Sequence, residues 1–280
     1  MMHGTETFAA GTADLLGSVR RALRVLEAVA AGGDGITAKA VARRAGLPLP
    51  TTYRLLNTLV YEGYLVRLHQ SRGYGLGYKL TGLHRRLSQQ LEVTPGVLSV
   101  LHRIHDECAA AAYFTVFRDE EIVVAEVVDS PSARRAEPLD VGFHQAPHAT
   151  AFGKVMLSWL PAERRRDHLR QQGLPRLTER TITTPDVLED HLAMVRTSGV
   201  AVEVGEFQGG LSCLAAPVFD AGGTVAGALA TSVPVELFEQ RHRKLKDAVS
   251  AGAARVSRLI AGVPEQHDAA ARPRRPGSRG

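Results

Sequence analysis

Cysteine is nearly absent from this sequence. Cys108 and Cys213 are the two in 280 residues. That is too few for a disulfide framework, and they lack the CxxC spacing of a structural zinc site, so no metal is expected. Long apolar runs are missing as well. None reaches the roughly 18–20 residues that a membrane helix requires. The N-terminal stretch MMHGTETFAAGTADLLG lacks the basic-then-apolar layout of a signal peptide. A soluble, cytoplasmic protein without a membrane partner is the expectation. No internal repeat is visible. The GK of HATAFGK lacks the GxxxxGK[ST] spacing of a phosphate loop, and no cofactor is implied. What is present is a hydrophobic share of 44%, ample for a core. The length suggests about two domains.

Charge is unevenly spread. Residues 18–90 hold 12 Lys and Arg against 3 acids, whereas residues 91–262 hold 18 against 22. A basic head on a mildly acidic body suggests a polyanion-binding module joined to a separate domain. A chance surface asymmetry would look the same by charge alone.

Residues 1–17 are small and polar and read as a flexible arm. From Ser18, a candidate cap, Val19, Ala22, Leu23, Val25, Leu26 and Val29 form a helical stripe. AGGDG (Ala31–Gly35) stops it. Thr37 can cap a second helix, AKAVARRA, which ends at Gly46. Pro48 and Pro50 introduce a third, since proline costs nothing in a first helical turn. On a wheel, Leu55, Leu56, Leu59 and Val60 fall on one side. Arg54, Asn57, Thr58 and Tyr61 fall on the other, with Thr51 at the exposed end. YLVRL and GYGLG then read as two short strands around a polar tip, His69–Gly73.

This order is a winged helix-turn-helix over residues 18–77, with the helix-turn-helix at about 38–58. Such a recognition helix lies in the major groove of double-stranded DNA with its first residues against base edges. Arg54 can reach a guanine bidentately, and Asn57 an adenine or a phosphate. Thr51 and Thr52 can donate to phosphates or touch a thymine methyl, and Tyr53 can do either. Lys39, Arg43 and Arg44, with Arg67 and Arg72 in the wing, supply phosphate-neutralising charge. The competing reading is a winged helix that docks another protein through a solvated polar face. The local charge favours DNA, and no aromatic platform points to RNA.

A linker helix over residues 78–91 follows, marked by Leu80, Leu83, Leu87 and Leu91. TPGV caps a further helix running into Ala112. The body, residues 92–262, is α+β: a sheet flanked by helices, a common frame for a small-molecule pocket. YFTVFR, EIVVAEVV and ARRAEPLDVG are its first predicted strands, and VAVEV, CLAAPVFD and TVAGALATSV its last. Helices are expected in ATAFGKVMLSWL, PAERRRDHLRQQG, the stretch 185–197 and a long segment to about Ala261. Residues 263–280 read as a disordered basic tail.

The sequence "RALRVLEAVA…TAKAVARRAGLPLPTTYRLLNTLVYEGYLVR…GYGLG" resembles the DNA-binding half of the IclR family of bacterial transcriptional regulators. "HATAFGKVML", "LTERTIT" and "CLAAPVFDAGGTVAGALATS" resemble its effector-binding half. The resemblance implies a GAF/PAS-like mixed α/β effector-binding domain, a small-molecule metabolite effector, and a homodimer or homotetramer on operator DNA. It implies transcription regulation of metabolic genes, with repression as the default sign. By position it places effector contacts at Ala151, Phe152, Glu203, Cys213, Ala230 and Ser232. Three departures stand out. Pro50 replaces a frequent Ser or Thr, Phe152 is bulky where small residues are frequent, and Ala230 replaces a serine. Loss of that hydroxyl argues for an aromatic or more apolar ligand over a two- or three-carbon acid.

An enzymatic alternative would use Cys213 as nucleophile with His144 or His148 as base. GLSCLAAPV opens an apolar strand, where cysteine more often behaves as a small buried hydrophobe. No catalytic residue is therefore assigned. His148 reads as a cap or packing residue, and Arg164–Arg166 as a solvated helix face.

Overall fold

The computed structural model describes residues 15–68, 73–119 and 121–262. The basic tail, most of the N-terminal arm and the wing tip that carries Arg72 lie outside these residues. The chain divides into two units, residues 1–87 and 88–280.

The first unit opens with three helices, α1 (Gly17–Ala30), α2 (Ala38–Ala45) and α3 (Leu49–Tyr61). Thr37 caps α2 by accepting from the Ala40 N–H (3.3 Å), and Gly46 ends it at a φ of 63°. Pro50 occupies the first turn of α3, as expected of a residue without an N–H. Ser18, by contrast, is no cap: α1 starts one residue earlier, with Leu16 at its cap position and no side-chain bond there. In its predicted stripe Val25 and Val29 are buried and Leu26 partly so, while Val19 and Leu23 remain about half exposed.

The wing is an antiparallel pair, β1 (Leu65–Leu68) and β2 (Gly73–Leu76), registered Leu65 to Leu76. The stretch after α1 joins it. The Tyr74 N–H donates to the Ile36 carbonyl (2.9 Å), and the Gly35 N–H donates to the Tyr74 carbonyl (3.1 Å). Gly73 permits this contact, because a Cβ there would lie 2.1 Å from the Gly35 carbonyl oxygen. Val25, Val29, Val41, Leu56, Leu65 and Tyr74 form the small core. α4 (Lys79–Gln90) then carries the chain toward the second unit, and none of its residues is buried.

The second unit contains α5 (Pro95–Cys108), β3 (Ala111–Arg118), β4 (Glu121–Val128), α6 (Ala151–Trp159), α7 (Ala162–Gln172) and α8 (Pro185–Ser198). It is completed by β5 (Ala201–Val204), β6 (Leu211–Phe219), β7 (Val225–Pro234) and α9 (Val235–Ile260). The strands form one antiparallel sheet in the order β4-β3-β7-β6-β5, so the unit is α+β. One face carries α6, with α8 behind it; α5 and α9 pack on the other. Gly252 of α9 admits Ile104 and Val100 of α5 and Leu229 of the sheet.

Two expectations differ from the structure. α5 stops at Cys108 rather than Ala112, because Ala109 turns left-handed and Ala111 already pairs with Ser232. ARRAEPLDVG forms no strand. Pro138 has no N–H for a ladder, and the segment touches the β4 edge only at its end, through bonds between Val124 and both Gly142 and Phe143 (each 2.8 Å). Among the described residues no helix is long and apolar enough to cross a membrane.

Candidate functional site

The first site is the outer face of α3. Leu56 is fully buried beneath it, and Leu55, Leu59 and Val60 pack around the same core. That anchoring turns Tyr53, Arg54 and Asn57 to solvent, with Thr51 half-buried beside them. Lys39, Arg43 and Arg44 on α2 and Arg67 on β1 are exposed as well. Thr52 does not belong with them. Its side chain is fully buried, and its hydroxyl donates to the Pro48 carbonyl (3.1 Å), so it cannot meet a phosphate. The helical period itself puts Thr52 on the inward stripe, four residues before Leu56, so its polar character alone was misleading.

Sequence reasoning missed one group. Arg20, Arg21 and Arg24 of α1 line a concavity of about 330 Å³ together with Leu47, which immediately precedes the α3 turn. Three guanidiniums around one concavity concentrate positive charge there. The signal was the RRALR spacing, which the apolar stripe of the same helix overshadowed.

The second site lies on the sheet face under α6. Strand register brings its members together. Glu203 pairs with Cys213, Cys213 with Ser232, and Ser232 with Ala111, so the three polar side chains form one row across β5, β6 and β7. Ala230 sits two residues from Ser232 on the same face, opposite Tyr113. Ala151 and Phe152 cap this row from α6. All six expected positions are buried.

Tyr113 was not anticipated. Its hydroxyl shares a hydrogen bond with the Ser232 hydroxyl (2.9 Å) and accepts from the Ala136 N–H (3.3 Å). Burial pushes its acidity well down, so the phenol stays protonated. The phenol thus supplies a hydroxyl next to the position where Ala230 has none. Nothing in YFTVFR separates this tyrosine from a core residue, because its role depends on pairing with a strand 117 positions away. Phe152, Phe143 and Phe207 form edge-to-face pairs above the row, at 6.4 and 5.5 Å between centroids. The three rings belong to or pack against the same buried cluster as Cys213 and Ala230, so aromatic and polar groups share one packed region.

Glu203 is the chemically unusual member. One carboxyl oxygen accepts from the N–H groups of Glu206 (2.9 Å) and Phe207 (2.7 Å). Burial nevertheless dominates and pushes its pKa up to about 7, with Glu206 adding to the rise. The Cys213 thiol beside it is driven upward by burial and then by Glu203, which keeps it protonated and opposes a nucleophilic role.

The HATAFGK segment builds the edge of this site. Thr150 caps α6 by accepting from the Gly153 N–H (3.2 Å). Gly153 must be small, because a Cβ would fall 2.3 Å from the Pro147 carbonyl oxygen. His148 is buried and donates through Nε2 to the Pro175 carbonyl (3.0 Å). It is thus a packing residue, as expected, while His144 is bonded to the Gly142 carbonyl (2.9 Å). Lys154 turns inward, fully buried, and pairs with Glu206 at 2.5 Å. Thr178 and Thr181 of LTERTIT tie down the Gly205 and Glu206 carbonyls (2.7 Å each). The run Arg164–Arg166 is not uniformly solvated: Arg165 is buried and grips Glu189 with two bonds of 2.7 Å. Among the described residues no cluster of His, Cys, Asp and Glu could hold a metal.

Known proteins resemble both units of the chain. Residues 18–69 match the IclR helix-turn-helix domain, and residues 86–258 match the C-terminal domain of bacterial IclR transcriptional regulators. The chain is 28% identical over 228 residues to the transcriptional regulator KdgR of Escherichia coli, covering 81% of this chain and 86% of that one. It is 28% identical over 221 residues to the transcriptional repressor IclR of the same organism, covering 78% and 80%. The crystal structure of a transcriptional regulator from Rhodococcus sp. RHA1 superposes with a TM-score of 0.67 at 26% identity, over 89% of this chain and 100% of that one.

Proposed function

This chain belongs to the IclR family of bacterial transcriptional regulators, and from that membership we propose that it acts as a repressor of metabolic genes. It is a ligand-responsive DNA-binding regulator, with a helix-turn-helix domain and an effector-binding domain. Its relative IclR of Escherichia coli is a transcriptional repressor, which supports the sign.

The observation that carries the reading of the interface is the two-sided α3. Leu56 is locked in the core while Tyr53, Arg54 and Asn57 face outward amid Lys39, Arg43 and Arg67. In this reading Arg54 and Asn57 read bases, Thr51 and Tyr53 meet the backbone, and the α2 and wing cations neutralise phosphates. Arg20, Arg21 and Arg24 add a further phosphate contact beside the start of α3. The winged helix spans residues 18–77, the linker 78–91 and the effector domain 92–262, and the protein works in the cytoplasm as a homodimer or homotetramer.

The effector contacts are Ala151, Phe152, Glu203, Cys213, Ala230 and Ser232, joined by Tyr113. Three phenylalanines above a row of hydroxyl, thiol and carboxyl groups support an aromatic or apolar effector with one polar end. The buried, protonated thiol of Cys213 supports regulation rather than catalysis. Effector coupling to operator affinity is typically worth about 1–3 kcal/mol. The test is fluorescence anisotropy on DNA from upstream of the gene, over a salt series. A salt-dependent, sequence-specific affinity is expected. Absence of any specific shift at low salt refutes the assignment of α3 to the operator.

A further inference from the structure

A second cavity lies in the effector-binding unit, away from the six expected effector residues. It measures about 550 Å³, within the roughly 300–1,000 Å³ range of small-molecule sites. Its lining comes from the end of α6, from α7, from the end of β3 and from the start of β7. None of Ala151, Phe152, Glu203, Cys213, Ala230 and Ser232 borders it. Val225, on its wall, precedes Ser232 by seven residues on one strand, a separation of about 23 Å at strand rise.

The walls are chemically specific. Phe117 and Trp159 present aromatic surface, backed by Leu160 and Val225. The indole is held edge-to-face by Phe219, at 5.7 Å and 80°, so its orientation is set before any ligand arrives. The α7 side is cationic. Arg170 is already paired with Asp167, whereas Arg164 makes no ion pair or hydrogen bond among the described residues. A guanidinium without a partner beside aromatic faces suits one ligand type: a flat ring to stack and a carboxylate to receive the fork. Asp119 at the rim disfavours ligands with more than one negative charge.

We propose that this cavity is a second ligand site, which takes a small aromatic monocarboxylate with its ring between Phe117 and Trp159 and its carboxylate on Arg164. The site operates independently of the effector contacts around Glu203.

Trp159 is the single tryptophan of the chain and borders this cavity, so its emission responds to a ligand there. The experiment titrates the full-length protein with phenylacetate, and with uncharged 2-phenylethanol, under excitation at the red edge of indole. Expected is a saturable change with phenylacetate at several-fold lower concentration than with the alcohol. Arg164→Ala and Arg164→Lys should shrink that preference, Arg164→Ala more strongly. Glu203→Gln should leave the phenylacetate titration unchanged. A change that stays linear in ligand overturns the site, as does a preference that survives Arg164→Ala. Loss of the signal in Glu203→Gln places the ligand at the effector contacts instead and overturns it equally. None of these outcomes bears on operator binding, so the regulatory reading stands or falls separately.

Discussion

Tyr113 and Ser232 share a hydrogen bond of 2.9 Å between their hydroxyls, joining β3 to β7 at the floor of the proposed effector site. Both groups are buried, and the phenol also accepts from the Ala136 N–H. Tyr113→Phe strands the Ser232 hydroxyl and that N–H in an apolar setting. The expected loss of stability is about 1–3 kcal/mol, the usual cost of a buried unsatisfied group. Urea denaturation of the variant checks it. The double variant Tyr113→Phe/Ser232→Ala should lose less than the sum of the single changes, because each removes a partner that the other needs.

Thr52 and Arg54 stand two residues apart and should behave oppositely. Arg54→Ala is expected to lower specific operator affinity by about 1–3 kcal/mol and to relax sequence preference at one position. Thr52→Val keeps the buried shape and removes a hydroxyl whose acceptor, the Pro48 carbonyl, still receives the Thr52 N–H (3.0 Å). Operator affinity should then stay within about twofold, since this side chain never reaches solvent. Anisotropy at fixed salt separates the two outcomes.

Glu203 makes stability depend on pH. Its pKa of about 7 in the folded protein lies above the ordinary 4.5, so the native state holds a proton that the unfolded chain releases. Its stabilising contribution is complete below pH 4.5 and is lost as pH rises to about 7. His191 opposes it. Burial lowers that imidazole to about 4, so its contribution is lost as pH falls from 6.5 toward 4. Raw melting curves mix the two. The difference between the native protein and Glu203→Gln isolates the carboxyl. Glu203→Gln should gain relative stability as pH rises from 5 to 7.5, and a constant difference across that range would contradict the assignment.

Lys154 and Glu206 form a buried pair under α6. Lys154→Met leaves the Glu206 carboxylate without its counter-ion in a buried site, at an expected cost of about 3–5 kcal/mol. Lys154→Met with Glu206→Gln should recover a large part of that loss. Thermal unfolding of the three variants gives the comparison. An additive double variant would mean that the two charges do not act as a pair.

Much of the DNA-facing unit was legible in advance because its signals are local. Thr37 and Gly46 bound α2, Pro50 starts α3, and a period of 3.6 sorts Leu56 from Arg54. Thr52 looked polar and available, but the same period already places it inward with Leu56. Elsewhere tertiary contact overrode local signals. Ile36 lies between the Gly35 stop and the Thr37 cap with no strand signal of its own, yet it joins the wing through Tyr74. ARRAEPLDVG had strand-like composition but could not extend the ladder past Pro138.

By itself the sequence determined the basic winged head, the α+β body and most of the order of elements, since caps, turn residues and apolar periods act over a few positions; the family was legible through the resemblance of its motifs. Tertiary structure alone decided which side chains share a site. Glu203, Cys213 and Ser232 form one row only because β5, β6 and β7 pair in one register. The Tyr113 hydroxyl meets that of Ser232 only because β3 adds beside β7. The cavity at Trp159 exists only where the ends of α6, β3 and α7 meet the start of β7. Strand register and helix docking depend on total burial across the unit, and no short window of residues contains that information.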